Sequence, residues 1–224
     1  MTKKQKIKKI IEILHEKFGN PACALNYKTP FELLVAVSLS AQCTDKRVNI
    51  VTEEMFNKKE INTPEQFANM ELEEIEKLVK STGFYKNKAK NIKKTSKILL
   101  EKYDGEVPKE MKELTELAGV GRKTANVVRG EIWNVAEGIT VDTHVKRLTN
   151  LIGLVKSDNP IVIERELMEI VPKENWIDIS HYLILQGRDV CIARRPQCER
   201  CEINIFCNFG RKKLKKQGIN FERP

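Results

Sequence analysis

Apolar residues recur at helical spacing along nearly the whole chain. Near the N-terminus they lie three or four positions apart, which predicts an amphipathic surface helix, at Ile7, Ile10, Ile11, Leu14 and Phe18. The segments 29–32 and 63–66 each carry Thr-Pro followed by a Glu or Gln at the third helical position, which is typical of a helix start. No stretch shows a convincing strand-like alternation. The pattern therefore predicts an all-α fold with short connections.

Further helices follow from the same periodicity and from glycines at helix ends, such as Gly83 and Gly105. They are predicted at 45–58, 71–81, 89–103, 111–117, 124–132, from Asp142 to near Gly153, 161–170 and 177–186. In the first of these, Val48, Val51 and Met55 share one face. After the last, the basic residues at 211–213 and 215–216 are expected to form a mobile end.

Composition narrows the class of protein. The 224 residues can bury a core without disulfide staples, and the charge of +9 with a pI of about 9.2 favours a polyanionic partner. Charge alone is equally compatible with a merely soluble basic protein. The N-terminus lacks the apolar core of a signal peptide, and the most apolar stretch, Leu33–Ala41, is too short to span a bilayer. We therefore expect a soluble, cytoplasmic protein and a monomer, with no membrane partner.

Two glycines flank one apolar residue in the segment LAGVGRKTA, which begins at Leu117. Gly119, Val120 and Gly121 allow a tight turn between helices and a close approach of the backbone to a partner. The amides at the start of the following helix would then form an anion site suited to phosphate. An ordinary helical hairpin with a glycine cap explains this segment alone equally well.

Four of the six cysteines crowd near the C-terminus. Cys191, Cys198, Cys201 and Cys207 have the spacing C-x6-C-x2-C-x5-C, and four thiolates in so short a stretch can ligate zinc or an iron–sulfur cube. Spacing alone does not choose between these groups. Cys23 and Cys43 stand apart and are most simply interpreted as buried thiols.

Several motifs together resemble one protein family. LAGVGRKTANVV at 117–128, SAQCTD at 40–45, VDTH at 141–144 and the cysteine cluster resemble the endonuclease III family of helix-hairpin-helix DNA glycosylases. They occur in the family's order and span about Thr29 to Cys207. The resemblance implies a two-domain α-fold, with a six-helix domain at 24–136 and a cluster domain formed by 1–23 and 137–224. It also implies that the four cysteines hold a [4Fe–4S] cluster.

The resemblance further implies the catalytic residues. Lys123 would attack the sugar, and Asp142 would be its charged partner. Arg122 and the helix N-terminus next to Lys123 both favour the neutral amine, which is the form able to form a Schiff base. Without the family, Asp142 is simply a helix N-cap, a role compatible with chemistry. His144 is interpreted as structural.

Access to a base inside duplex DNA requires that its nucleotide be flipped out and that the gap be filled. The family resemblance assigns the filling to Gln42 and to Phe84, where the family pattern carries a leucine-like residue. Alternatively, Phe84 is a core residue after a helix cap, and Gln42 is a polar residue at a helix end. Arg194 and Arg195, between the first two clustered cysteines, and Arg200, next to the third, are expected to face phosphates.

Taken together, these motifs imply a base-excision repair enzyme that acts on duplex DNA with damaged bases or abasic sites. By resemblance it is bifunctional: it removes oxidised pyrimidines and cleaves the strand by β-elimination. A monofunctional mismatch glycosylase is an alternative, although such enzymes generally lack a lysine at the position of Lys123. A non-enzymatic helix-hairpin-helix DNA-binding protein is a second alternative.

Overall fold

The all-α prediction is confirmed by a computed structural model, which describes residues 1–219. In this range the backbone forms helices and short connections, and the only β-type pairing is an isolated bridge between Cys191 and Pro196. The α-helices, in chain order, are α1 (Lys3–Phe18), α2 (Pro30–Leu39), α3 (Asp45–Thr52), α4 (Pro64–Asn69), α5 (Leu72–Val79), α6 (Tyr85–Tyr103), α7 (Met111–Glu116), α8 (Arg122–Trp133), α9 (Thr143–Ile152), α10 (Pro160–Met168), α11 (Trp176–Asp189) and α12 (Asn208–Lys216).

The helix-start signals form as hydrogen bonds. Thr63 Oγ1 accepts from the Gln66 amide at 3.4 Å, and Gln66 Oε1 accepts from the Thr63 amide at 3.0 Å, which completes a capping box at α4. At α2, Thr29 Oγ1 accepts from the Glu32 amide at 3.1 Å. The Glu32 carboxylate instead accepts from the Lys28 amide at 2.6 Å. Local sequence therefore fixes where both helices begin.

Three segments differ from the sequence-based predictions. The helix predicted at 45–58 ends as α3 at Thr52 and continues as a π-helical turn, Glu53–Lys58, which allows the adjacent Met55 and Phe56 both to be buried. Helix α6 begins at Tyr85, four residues earlier than predicted. The basic end is not a mobile tail as far as Lys216: it forms α12, whose Leu214 is almost fully buried. The charged residues around Leu214 conceal this anchor in the sequence.

The chain divides into two compact units. The first, Cys23–Val135, is here called the hairpin unit, and the second, Met1–Ala22 with Ala136–Pro224, is called the cysteine unit. The core of the hairpin unit contains α2, which is apolar all round and buries nearly every side chain from Phe31 to Leu39. Helices α6 and α8 bury one face each in the same core.

The cysteine unit has its own core, which includes the N-terminal helix. Ile7, Ile10 and Leu14 of α1 are fully buried there, as the helical spacing predicts. The hydroxyl of Tyr182 in α11 lies 2.7 Å from His15 Nδ1 and donates to the carbonyl of Gly19 at 3.0 Å. These bonds fix α1 and its end to α11, the helix that precedes the cysteine cluster.

No helix within residues 1–219 combines the length and the apolar character that crossing a membrane requires.

Candidate active site

The glycine segment forms the turn between α7 and α8. Gly119 has a left-handed backbone with φ of 76°, and a Cβ added there would lie 2.9 Å from Cγ of Asn91. Gly121 is the N-cap of α8, and a Cβ added there would meet no atom within 4 Å. Gly119 is therefore required for the turn itself, whereas Gly121 leaves the main chain open to a partner.

The turn is anchored from inside the hairpin unit. The Val120 side chain is only 5% exposed and belongs to the core, so a partner can reach this residue through its main chain alone. Thr95 of α6 donates its hydroxyl to the carbonyl of Ala118 at 3.1 Å. In the described chain no side chain caps the first turn of α8, so its amides are available to an anion.

Lys123 is the second residue of α8, and its side chain is exposed. It lies in the hairpin unit, directly after the turn and beside the positive end of the helix. An exposed amine at this place can reach a ligand held by the turn.

Asp142 lies in the cysteine unit and caps α9. One carboxylate oxygen accepts from the Val145 amide at 2.8 Å, which holds the half-buried side chain in place. The N-cap interpretation is therefore correct, and it uses one of the two oxygens. His144 packs inside the same unit, with Nδ1 3.4 Å from the guanidinium of Arg147 and close to Gly187. These are the contacts of a structural residue.

Gln42 and Phe84 are both exposed, and both have left-handed backbones, with φ of 55° and 48°. Gln42 follows the end of α2, and Phe84 directly precedes α6. Phe84 is 65% exposed, so its interpretation as a core residue is wrong. A large apolar ring exposed to solvent on an unfavourable backbone conformation makes Phe84 a candidate for contact with a partner.

The four clustered cysteines line one partly open cavity. None of them forms a disulfide; Cys198 and Cys207 are buried, and Cys191 and Cys201 are half-buried. The other walls include the apolar residues Val190, Pro196 and Phe209. Cys23 and Cys43 lie in the hairpin unit and are half-buried rather than buried.

Two of the clustered sulfurs accept hydrogen bonds. The amide of Gly210 donates to Cys207 Sγ at 3.3 Å, and the side chain of Gln186 donates to Cys201 Sγ at 3.4 Å. Burial raises the pKa of the Cys191 thiol to about 11, although the nearby Arg147 acts in the opposite direction. Arg147 also donates to the carbonyl of Cys191 at 2.7 Å, which fixes the main chain at the first cysteine.

Several cationic side chains lie in or beside the cysteine segment. Some are exposed to solvent, and others form ion pairs within the protein. Arg194 and Arg195 are exposed in the connection between the first two cysteines. Arg200 pairs with Asp189 at 2.7 Å, so its charge is partly neutralised within the protein. Lys17 of α1 pairs with Asp189 at 3.0 Å and with Glu202 at 2.9 Å. Lys17 thus ties α1 to the cysteine segment, a role that the sequence analysis missed.

Lys88 is a second residue that the sequence analysis missed. It is only 7% exposed, and its ammonium group donates to two main-chain carbonyls of the hairpin unit. A signal was present, because Lys88 shares the helical face of Ile92, Thr95 and Leu99, which are all buried.

Comparisons with known proteins agree with this arrangement of motifs. Residues 35–173 match the family described as "HhH-GPD superfamily base excision DNA repair protein". The chain is 47% identical to endonuclease III of Synechocystis sp. over 206 residues, which cover 92% of this chain and 93% of the relative.

Two solved structures are similar over nearly the whole chain. A non-covalent endonuclease III–DNA complex has a TM-score of 0.89 and 42% identity, with 96% of this chain and 100% of that chain covered. A trapped endonuclease III–DNA covalent intermediate has a TM-score of 0.88 and 43% identity, with the same coverage. The chain therefore belongs to the endonuclease III family, within the HhH-GPD superfamily of base-excision DNA-repair proteins.

Proposed function

We propose that the protein is a bifunctional DNA glycosylase and abasic-site lyase of base-excision repair, with Lys123 as its nucleophile. The observation that carries this proposal is the exposed amine of Lys123 on the first turn of α8, directly after the glycine turn. An endonuclease III structure trapped as a covalent intermediate with DNA supports a covalent mechanism for this chain.

Duplex DNA is held by main-chain groups and by cations. The turn at Gly119 to Gly121 and the uncapped amides of α8 offer donors to a phosphate, and such contacts position DNA without reading its sequence. Arg194 and Arg195 add charge that faces solvent. This set suits an enzyme that must bind damage in any sequence context.

The damaged nucleotide leaves the base stack before it reacts, because its sugar cannot be attacked inside an intact duplex. Gln42 and Phe84 occupy the vacated space. The exposed ring of Phe84 can stack on neighbouring bases, and the amide of Gln42 can hydrogen-bond to the base left without a partner.

The reaction begins when the neutral amine of Lys123 attacks the anomeric carbon of the extruded sugar. The bond to the base breaks, and the base leaves with the bonding electron pair and takes up a proton. Opening of the sugar ring gives a Schiff base between Lys123 Nζ and the anomeric carbon. This Schiff base acidifies the adjacent carbon, loss of its proton expels the 3′ phosphate by β-elimination, and hydrolysis restores the lysine.

Asp142 supplies the fixed negative charge for this sequence. One of its oxygens caps α9, and the second is the oxygen that we assign to the reaction. A carboxylate stabilises the positive charge that develops on the sugar when the base departs, and it can accept a proton from the attacking amine. The substrate class we assign is oxidised pyrimidines, together with abasic sites.

The cysteine cavity fits a [4Fe–4S] cluster held by Cys191, Cys198, Cys201 and Cys207. Four free thiols line it, and two of their sulfurs accept hydrogen bonds, as cluster-bound thiolates do. Nevertheless, no group of three or more His, Cys, Asp or Glu residues within 1–219 is arranged to hold a metal ion. A cube takes its thiolates at four separate corners, whereas zinc draws them around one point, so this arrangement is compatible with the proposed cube.

The cluster would act as a structural cross-link, since base removal transfers no electrons. Its four ligands fix the segment that carries Arg194 and Arg195. We accordingly propose that the cysteine unit is the cluster domain and that the hairpin unit is the helical domain expected at 24–136, although this unit contains seven α-helices, α2 to α8, rather than six.

Borohydride trapping tests the catalytic proposal. The wild-type protein is incubated with duplex DNA that contains an abasic site or thymine glycol, and the reductant converts the Schiff base into a stable adduct. We expect an adduct with the wild type and with the Lys112→Gln control, which removes an exposed lysine from α7. We expect none with Lys123→Gln. DNA binding without an adduct in the wild type would exclude the lyase, and base release without strand cleavage would indicate a monofunctional glycosylase.

Iron analysis tests the proposed cluster. The purified wild-type protein is expected to be brown, with about four iron atoms per chain. Cys198→Ala removes a buried ligand and should lower the iron content, whereas Cys23→Ala removes a cysteine of the hairpin unit and should leave it unchanged. A colourless protein that contains zinc would contradict the cluster.

A further inference from the structure

Lys88 places an ammonium group inside the hairpin unit. Nζ donates to the carbonyl of Leu39 at 2.8 Å and to the carbonyl of Thr82 at 2.8 Å. Burying a charge is costly unless hydrogen bonds replace the lost water, and two carbonyls meet that requirement in part. Such an arrangement favours a lysine that the structure needs at this position.

The two acceptors stand at the bases of two different loops. Leu39 is the last residue of α2, so its carbonyl carries part of the negative charge of a helix C-terminus. The loop that contains Gln42 begins there. Thr82 precedes Gly83 and Phe84, and its side chain is 1% exposed, so its carbonyl is a fixed point at the base of the Phe84 loop.

The main chain of Lys88 belongs to the first turn of α6, whose N-cap residue is Phe84. The amide of Lys88 donates to the carbonyl of Phe84 at 3.2 Å. One residue therefore contacts the main chain on both sides of Gly83, and through Leu39 it also contacts the loop of Gln42.

Both loops have backbone conformations that need external support. Gln42 and Phe84 have positive φ angles without being glycines, and such residues persist only where the surrounding structure enforces them. The Phe84 ring is exposed, so it contributes little packing that could hold its own loop. A buried donor at the base of both loops supplies the missing constraint.

We propose that Lys88 is a positioning residue that locks the loops of Gln42 and Phe84 into one preorganised wedge, so that both side chains enter the DNA stack together. This inference rests on the proposed function, in which these two side chains fill the space of the flipped nucleotide. Lys88 does not touch DNA in this role; it acts through the two loops.

The test separates insertion into the duplex from chemistry at Lys123. Lys88→Met keeps most of the side-chain volume and removes the donor, and Lys88→Arg restores a charged donor. Lys90→Met is the matched control, because it removes the same charge from an exposed position on the same helix. Three quantities are measured: base release from a thymine glycol duplex in a single turnover, fluorescence of 2-aminopurine next to the lesion, and borohydride adduct with single-stranded abasic DNA.

Lys88→Met should slow base release from duplex DNA by about tenfold and diminish the fluorescence rise that reports unstacking. Adduct formation with single-stranded abasic DNA needs no insertion, so it should stay within about twofold of the wild type. Lys88→Arg should recover part of the duplex activity, and Lys90→Met should match the wild type. Unchanged duplex activity in Lys88→Met, or an equal loss on both substrates, would overturn the proposal.

A second variant covers the case in which Lys88→Met does not fold. Lys88→Gln keeps a donor that is too short to reach both carbonyls, and the same split between substrates is expected. In a Phe84→Ala background, Lys88→Gln should cost less than about twofold further, because the wedge is already lost. Full additivity of the two changes would refute the coupling, whereas absence of any adduct in the wild type would refute the proposed function instead.

Discussion

Gly119 and Asn91 are packed so closely that a side chain at the glycine would collide with the asparagine. A Cβ on Gly119 would lie 2.9 Å from Cγ of Asn91, and the backbone there has a φ of 76°. The left-handed conformation therefore requires glycine at this position, and a side chain there would also displace the Asn91 carboxamide. Gly121, two residues later, is under neither constraint.

The first prediction follows from this difference. Gly119→Ala should destabilise the protein by about 1–3 kcal/mol, because it adds a collision to an unfavourable left-handed conformation. Gly121→Ala should change stability by less than about 0.5 kcal/mol, and any loss of DNA affinity that it causes would report a close approach of DNA. Thermal unfolding followed by circular dichroism, together with DNA binding, measures both. Equal stability of the two variants would contradict the argument.

Much of this fold could be predicted because the signals are local. Threonine caps, glycine ends and apolar spacing fix most helices, since each depends on residues within one or two turns. Lys88 could not be recognised in the same way. Its type predicts a surface residue, and its acceptor Leu39 lies 49 positions away in the chain. The helical content of the basic C-terminal segment was missed because its buried apolar side chain, Leu214, lies among basic residues and because Lys213 is held by a distant acceptor, the carbonyl of Pro196.

In the candidate site, too, some features could be predicted from the local sequence and others could not. Exposure of Phe84, which the structure reveals, decides between a core and a surface residue. Sequence alone could not, because a phenylalanine after a glycine is typical of both. The cap formed by Asp142 could be predicted from its place before α9, since that bond spans only three residues.

The pH dependence of stability should identify the buried ammonium of Lys88. Burial lowers its pKa from the usual 10.5, and the neighbouring Cys43 acts in the opposite direction. Between the lowered pKa and 10.5 the unfolded chain binds more protons at this group, so its contribution to stability rises with pH. Below that window Lys88 is charged in both states, and burial of this charge lowers the stability of the folded state.

The measurement compares the melting temperatures of the wild type and Lys88→Met from about pH 8 to about pH 11, a range that covers this window. The difference, wild type minus variant, should increase with pH, whereas the difference for Lys90→Met should stay flat. Repeating the series in a Cys43→Ser background removes the neighbouring side chain that acts on the Lys88 pKa. A difference that falls as the pH rises would show that burial does not disfavour the charged form.

The salt dependence of DNA affinity should show which arginines of the cysteine segment contact phosphates. Arg194→Ala and Arg195→Ala should each reduce the slope of log affinity against log salt by about 0.9, if each side chain neutralises one phosphate. Arg200→Ala serves as the matched control, because its guanidinium already pairs with Asp189 at 2.7 Å. Titrations with an abasic-site analogue duplex at several salt concentrations give the slopes. A larger effect for Arg200 than for Arg194 and Arg195 would reverse the assignment.

Asp142 allows its structural and chemical roles to be separated, because its cap uses one oxygen bonded to the Val145 amide at 2.8 Å. Asparagine is an equally good N-cap, so Asp142→Asn should cost less than about 0.5 kcal/mol in stability. It removes the charge, however, and should slow base release by about 10²–10⁴-fold. Asp142→Ala loses the cap as well and should be destabilised by about 1 kcal/mol. The chemical role requires both variants to be slow in single-turnover base release, whatever their stability. If Asp142→Asn kept near-normal base release while Asp142→Ala lost it, the carboxylate would matter only as a helix cap.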